Sequence, residues 1–372
     1  EISECLVGSE MCIRDRAMPP YLYKVQEELG EDWNKTTLYG AFENLLDEIK
    51  DDERFRPDLV FYIGGHIVSK KLKSYLRSLK GVEQIRISQE ADIEDTFMHL
   101  TKVMDLPNSD AMSWLGNFGW HNHWEDYRKL WMDALAKSYE RKENFKLEFS
   151  SLATVKEFFS QLQKVEPQDF KAFTLGDKDA HDDGSYDREF DTFLPGLMSS
   201  VISGNSSAIR LMNQYADRHV YCNRGVNGIE GSLSTAVGFS MCKNKSDKSD
   251  KHVYCVLGDL SFFYDQNALW NRNLNGKLRI IVLNNGGGAI FGKFQGLKES
   301  QAREEIIMAK HHATAEGICS QNEVKYLAAH TMEEMEQGIS QLIHAESERP
   351  MLLEVFTDMD VDNEMLEAVQ KC

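Results

Sequence analysis

The sequence predicts an α/β fold of two doubly wound parallel-sheet domains, and three observations carry that prediction. Leu59–Ile63 is a continuous apolar run, as expected of a strand covered on both faces. Strand-length segments alternate with segments of helical period along the chain, which implies parallel sheets flanked by helices. Turn residues follow directly on strand ends: Gly64-Gly65, Gly258-Asp259 and Asn284-Asn285-Gly286.

The elements are read in chain order. Residues 1–16 have neither helical nor strand period and are set apart as an artefact or a disordered tail. Residues 17–140 form the first domain: a helix with apolar positions Leu38, Phe42, Leu45, Leu46 and Ile49, the strand Leu59–Ile63, a helix over Ser69–Leu79, and a short strand over Gln84–Ile87. Residues 141–203 form a linker. Its helix is capped by Ser150 or Ser151 and carries Leu152, Val155, Phe158, Phe159 and Leu162 on one face. Nine acids between Glu166 and Asp191 mark residues 163–197 as a solvated loop or insertion. Residues 204–372 alternate again, with strands at Val220–Cys222, Val253–Leu257, Leu278–Leu283 and Met351–Phe356, and helices at Gly231–Met241, Gln266–Asn271 and Met332–Ala345. Ligands of such sheets bind beyond the carboxyl ends of the strands, where Asn223-Arg224-Gly225 and the turns after the last-domain strands fall.

Composition excludes several classes. A formal net charge of −18 argues against nucleic acid or an anionic membrane as partner. No apolar run approaches the ~20 residues of a membrane helix. The seven cysteines are scattered, with no C-x-x-C pair, as expected in a reducing cytoplasm. His121-Asn122-His123 and His311-His312 lack the i, i+4 spacing of a helical metal pair and read as surface or structural histidines.

Two strand ends carry the chemistry. Gly258-Asp259 and Asn284-Asn285-Gly286-Gly287-Gly288 are separated by 24 residues between Asp259 and Asn284. An acid and an amide at neighbouring strand ends supply hard oxygens to one magnesium ion, and the glycines let backbone groups approach the ion and a phosphate. The pattern resembles the Gly-Asp…Asn-Asn signature of thiamine-diphosphate (ThDP) enzymes. The strings 204–211 (GNSSAIRL), 223–238 (NRGVNGIEGSLSTAVG), 258–271 (GDLSFFYDQNALWN) and 284–291 (NNGGGAIF) together resemble the 2-succinyl-5-enolpyruvyl-6-hydroxy-3-cyclohexene-1-carboxylate synthase family of menaquinone biosynthesis. A weaker similarity runs through 36–162.

The resemblance implies a transferase that decarboxylates 2-oxoglutarate and joins the remainder to isochorismate. It implies ThDP with Mg2+ (or Mn2+) as cofactors, and a cytoplasmic homodimer or homotetramer at full length. The metal is assigned to Asp259, Asn285 and the Gly287 carbonyl. The cofactor is assigned to Gly258, Asp259, Leu260, Ser261, Asn285, Gly287, Gly288, Ile290 and Phe291, with Ile229 propping its bent shape. Substrate carboxylates fall to Arg210 and Arg224 with Ser206 beside them; Lys71 aligns with a substrate-binding basic residue of the central domain, and Phe291 and Phe294 line the pocket. The first domain then corresponds to a shortened central domain, and 204–372 to the diphosphate- and metal-binding domain. The glutamate that activates the cofactor sits in an amino-terminal domain of the family that nothing here resembles. The expectation is a piece of a longer enzyme, inactive alone. Two alternatives stand beside it: another ThDP decarboxylase or synthase, and a non-catalytic diphosphate-binding relative.

Overall fold

The computed structural model describes residues 12–13, 41–63, 67–89, 93–107, 110, 123–166, 199–218, 220–225, 228–246, 251–293 and 299–371. The acidic stretch beyond Glu166 and the turn Gly64-Gly65 lie outside these. The chain divides into two compact units. One comprises Glu1–Ile13, Lys146–Gln168 and Leu194–Val369, and the other Arg14–Phe145, Asp169–Phe193 and Gln370–Cys372.

The second of these units holds a three-stranded parallel sheet of β2 (Leu59–Ile63), β3 (Glu83–Ser88) and β4 (Lys102–Asp105), in that order. Helices α1 (Ala41–Ile49), α2 (Lys70–Ser78) and α3 (His123–Asn144) accompany it. Phe42, Leu45, Leu46 and Ile49 of α1 form a core with Leu72, Tyr75 and Leu135. Their i, i+3, i+4, i+7 spacing is the reason α1 forms against an apolar neighbour. Ser69 caps α2 by accepting the Leu72 N–H at 3.0 Å.

The other unit is built on a seven-stranded sheet. Its order is β1 (Cys12–Ile13), β6 (Val220–Cys222), β5 (Ser200–Ser203), β7 (Val253–Gly258), β8 (Leu278–Asn284), β10 (Met351–Phe356), β9 (Lys325–Ala329). Every pairing is parallel except the edge pair β1–β6. Cys12 and Ile13, set apart in the sequence, thus contribute a two-residue antiparallel edge strand. Helix α4 (Ser151–Val165) belongs to this unit rather than to a free linker. Leu152, Phe158 and Leu162 are buried, and the Phe158 ring meets Tyr254 of β7 at 5.1 Å. Ser150 is the cap, accepting the Ala153 N–H. The remaining helices are α5 (Ser207–Tyr215), α6 (Ser232–Ser246), α7 (Asp259–Asp265), α8 (Glu316–Gln321), α9 (Met332–His344) and α10 (Met359–Val369). A 3-10 segment, Gln266–Trp270, follows α7 and leaves Trp270 76% exposed.

The chain leaves β5 toward β6 on one side and then crosses to β7 on the other. The carboxyl ends of β5 and β7 therefore flank the point where the winding reverses, the place where open α/β sheets bind ligands. Close approach there depends on Gly204: a Cβ at that position would stand 2.8 Å from Leu257 Cβ. No helix among the described residues is long and apolar enough to cross a membrane.

Candidate functional site

Four motifs meet at the carboxyl edge of the large sheet, because β6, β5, β7 and β8 are parallel neighbours. Gly258 stands beside Leu283 in the β7–β8 register, so Asp259 starts α7 next to the turn after β8. Asp259 is 3% exposed. Its Oδ1 accepts the Leu260 N–H at 2.6 Å, and its Oδ2 accepts the Gly287 N–H at 2.9 Å. That second bond closes one strand-end turn onto the other. Gly287 has φ +150°, and a Cβ there would meet the Met308 carbonyl oxygen at 2.6 Å, so only glycine fits. The loop is held from its other side as well: Gly288 N–H donates to Met308 O at 2.7 Å, and His311 N–H to Gly286 O at 2.9 Å.

The two adjacent asparagines differ. Asn284 is saturated: its amide nitrogen donates to Glu354 Oε1 (2.7 Å) and Ala313 O (3.0 Å), and its Oδ1 accepts the Gly286 N–H (3.1 Å). Asn285 donates its amide nitrogen to Asp362 Oδ2 at 2.8 Å, which leaves Oδ1 as a lone-pair donor. Burial pushes the Asp362 carboxyl up, against the hydrogen bonds that Asn285, Ser151 and Thr357 give it. The Gly287 carbonyl accepts the Ala289 N–H at 3.1 Å and keeps its second lone pair. A carboxylate, an amide oxygen and a peptide oxygen are the donors a hard divalent cation takes. Among the described residues no group of three or more His, Cys, Asp or Glu side chains is placed to hold a metal. With one carboxylate in the set, phosphate oxygens would complete the charge and the coordination.

His311 stands against this carboxylate, its Nε2 3.3 Å from Asp259 Oδ2 and its ring edge-on to Phe263 at 5.3 Å. Asp259 raises the His311 pKa above the ordinary imidazole value, against partial burial. The histidine pair gave no spacing signal; the turn after Met308 brings His311 here. His312 has an exposed side chain.

On the β5–β6 side, Arg224 is 9% exposed. Its Nη1 donates to Asn205 Oδ1 at 3.1 Å, and its buried Nε has no hydrogen-bond partner among the described residues. A buried guanidinium with an unpaired donor is costly unless an anion pairs with it. Arg210 donates to the Ser206 carbonyl at 2.6 Å. Ser206 has φ +66° and makes no capping bond with its side chain, a strained conformation of the kind held at ligand sites. Asn205, 3% exposed, was missed in the sequence although it lies inside the GNS string. Its amide nitrogen donates to the Asn223 carbonyl and to Gly228 O (2.6 Å), while its Oδ1 holds Arg224. It thereby joins the ends of β5 and β6 to the turn before Ile229. Asp265 was missed too. It accepts the Ser234 N–H (2.7 Å) and Oγ–H (2.5 Å), fixing the start of α6 against α7.

The other assigned residues distribute as follows. Ser261 is buried, Leu260, Ile229, Gly288 and Ile290 are partly buried, and Phe291 is 40% exposed. Phe294 lies outside the described residues. Lys71, in the three-stranded unit, is engaged by Asp47 (2.6 Å) and by the Gln370 carbonyl (2.9 Å), an ion pair of the kind common on surfaces.

Comparisons with known proteins agree with this geometry. Residues 203–355 match the family described as thiamine pyrophosphate enzyme, C-terminal TPP binding domain. The chain is 31% identical over 357 residues to the 2-succinyl-5-enolpyruvyl-6-hydroxy-3-cyclohexene-1-carboxylate synthase of Phocaeicola vulgatus, covering 93% of this chain and 56% of that protein. It is 32% identical over 355 residues to the synthase of the same name from Christiangramia forsetii (92% and 54%). For that from Desulfotalea psychrophila the identity is 30% over 314 residues (81% and 48%). The chain spans about half the length of the curated relatives it matches. Residues 203–355 are thus similar to the C-terminal TPP-binding domain of the thiamine pyrophosphate enzymes, in a chain similar along most of its length to these synthases.

Proposed function

We propose that this chain supplies the diphosphate- and metal-holding half of a ThDP- and Mg2+-dependent enzyme that decarboxylates 2-oxoglutarate and joins the remainder to isochorismate. The observation that carries the reading is the closure of Asp259 onto Gly287 across neighbouring strand ends, beside Asn285 with its free carbonyl oxygen. Asp259, Asn285 and the Gly287 carbonyl would hold Mg2+ (Mn2+ would serve by the same chemistry), which would supply positive charge for the diphosphate. Bound there, ThDP supplies the electron sink for decarboxylation and carbon–carbon bond formation.

The protein's own groups bind and orient. Arg224, fixed by Asn205 and short of one partner, takes a substrate carboxylate, and Arg210 and Ser206 stand on the same side. Both proposed substrates are dianions, and the whole molecule carries a net charge of −18, so capture depends on these local cations. By the resemblance the activating glutamate belongs to a domain of the family that nothing in these residues matches, so the chain alone is expected to bind cofactor weakly and turn over little. The full-length enzyme works as a homo-oligomer.

The test is ThDP binding to the full-length enzyme, titrated with and without Mg2+, in wild type and in Asp259→Ala. Binding that requires Mg2+ and weakens by more than about 100-fold in the variant, beyond the effect of losing an outer partner of a metal ligand, supports the reading. Equal binding in the variant sinks the metal assignment. Product formation by the full-length enzyme from 2-oxoglutarate and isochorismate, but not from pyruvate, separates this synthase from a ThDP enzyme of neutral substrates.

A further inference from the structure

Asn285 offers a cation its carbonyl oxygen only while its amide nitrogen is held elsewhere, and one residue holds it. Asp362 on α10 is 7% exposed. Its Oδ1 accepts the Ser151 N–H at 2.7 Å. Its Oδ2 accepts the Ser151 hydroxyl (2.7 Å), the Asn285 amide (2.8 Å) and the Thr357 hydroxyl (3.0 Å). The backbone N–H of Ser151 is a donor only, so the group at position 362 must present an acceptor to it. With Asp there, both oxygens are acceptors, and Asn285 must answer with its NH2. A carbonyl turned toward that carboxylate would set lone pair against lone pair. The neighbouring Asn284 cannot take over, because Glu354, Ala313 and Gly286 occupy both ends of its amide.

We infer that Asp362 is a positioning residue: by fixing the rotation of the Asn285 amide it turns the oxygen, rather than the NH2, toward the cation. The inference rests on the metal reading of the site given above. It makes α10 and the start of α4, remote in sequence from the Gly-Asp and Asn-Asn motifs, part of the cation site. Outer residues that orient metal ligands affect affinity by roughly 10–100-fold.

The Asp362→Asn variant separates orientation from mere structural support. Asn at 362 keeps an oxygen for the Ser151 N–H and turns its NH2 toward Asn285. The Ser151 and Thr357 hydroxyls can reverse and accept. Asn285 then flips to satisfy the new donor, which hands its own NH2 to the cation. The variant therefore folds with its hydrogen bonds met but with an inverted cation site. The swap Asn285→Asp with Asp362→Asn restores the polarity: the amide at 362 donates to the carboxylate at 285, which still has an oxygen for the ion.

The measurement is Mn2+ binding to the full-length enzyme in the presence of ThDP, by water-proton relaxation, together with thermal melts. Asp362→Asn is expected to weaken Mn2+ binding about ten-fold or more with little change in melting temperature, and the swap to recover most of the loss. Wild-type-like Mn2+ affinity in Asp362→Asn, with Asp259→Ala still abolishing it, overturns the inference and leaves the metal reading standing. A folded swap variant that fails to recover affinity also overturns it. Absence of Mn2+ binding in the wild type removes the metal reading itself, and the inference with it.

Discussion

The two units bury charge differently. In the three-stranded unit Glu43, Arg86 and Lys142 are buried, but the ion pairs Arg54–Asp52, Lys71–Asp47 and Arg141–Glu48 each keep both partners more than a quarter exposed (73% and 29%, 27% and 57%, 43% and 50%). In the seven-stranded unit Asp259, Asp265, Glu354, Asp362, Arg224 and Arg279 are all 9% exposed or less. Buried polar groups are costly unless their partners are complete. The second unit meets that cost with fixed networks at its carboxyl edge and behind it, and one that is incomplete, at Arg224, lies where an anionic substrate is proposed. The lesson is that the charged residues of greatest consequence are those whose hydrogen bonds cross between elements.

Substitutions can break or sharpen this contrast. The largest effect on folding is expected at Glu354 in the middle of β10, fully buried, which accepts from Asn284 (2.7 Å), Tyr326 (2.8 Å) and Ala315 (2.9 Å). Glu354→Ala leaves these donors without an acceptor and should cost about 3 kcal/mol in denaturant unfolding. A cost under ~1 kcal/mol would show that the network carries little.

A smaller, pH-dependent effect is expected at Glu166. Burial raises its carboxyl, but hydrogen bonds from Ser199 and the charges of Lys251 and Arg218 outweigh burial and hold it below 4.5. A pKa depressed in the folded state gives stability that is present above the unfolded value of 4.5 and is lost as pH falls through the folded value. Glu166→Gln should therefore flatten the acid limb of the stability profile in that window, as read by unfolding at a series of pH values. An unchanged acid limb would remove Glu166 from the networks that matter.

The smallest effect is expected in the other unit. Lys71→Ala removes a half-exposed pair and should change unfolding free energy by no more than about 0.5 kcal/mol. A loss of isochorismate or 2-oxoglutarate affinity in the full-length enzyme, without a loss of stability, would instead restore Lys71 to the substrate site and blur the contrast.

What the sequence disclosed follows the same division. Strand runs such as Leu278–Leu283 and the apolar stripe of α4 were legible because burial imposes a period on local sequence. Asp259, Asn285 and Gly287 stood out because the proposed cation and phosphate would demand particular residue types at adjacent strand ends. β4 was not, since Lys102-Val103-Met104-Asp105 has too few apolar residues to signal a strand. Nor were Asn205, Asp265, Glu354 and Asp362, single polar residues whose meaning comes from a partner 17 to 211 positions away. No local pattern encodes such contacts, and His311 reaches Asp259 only through the course of its loop.

Trp270, on the 3-10 segment after α7, gives the molecule an optical consequence. The other five tryptophans, at positions 33, 114, 120, 124 and 131, fall within Arg14–Phe145. Trp270 is thus the single indole of the cofactor-binding unit, 76% open to solvent and eleven residues past Asp259. Its emission should be red-shifted and readily quenched by iodide, and the difference between wild type and Trp270→Phe isolates one half of the molecule as a spectroscopic channel of its own.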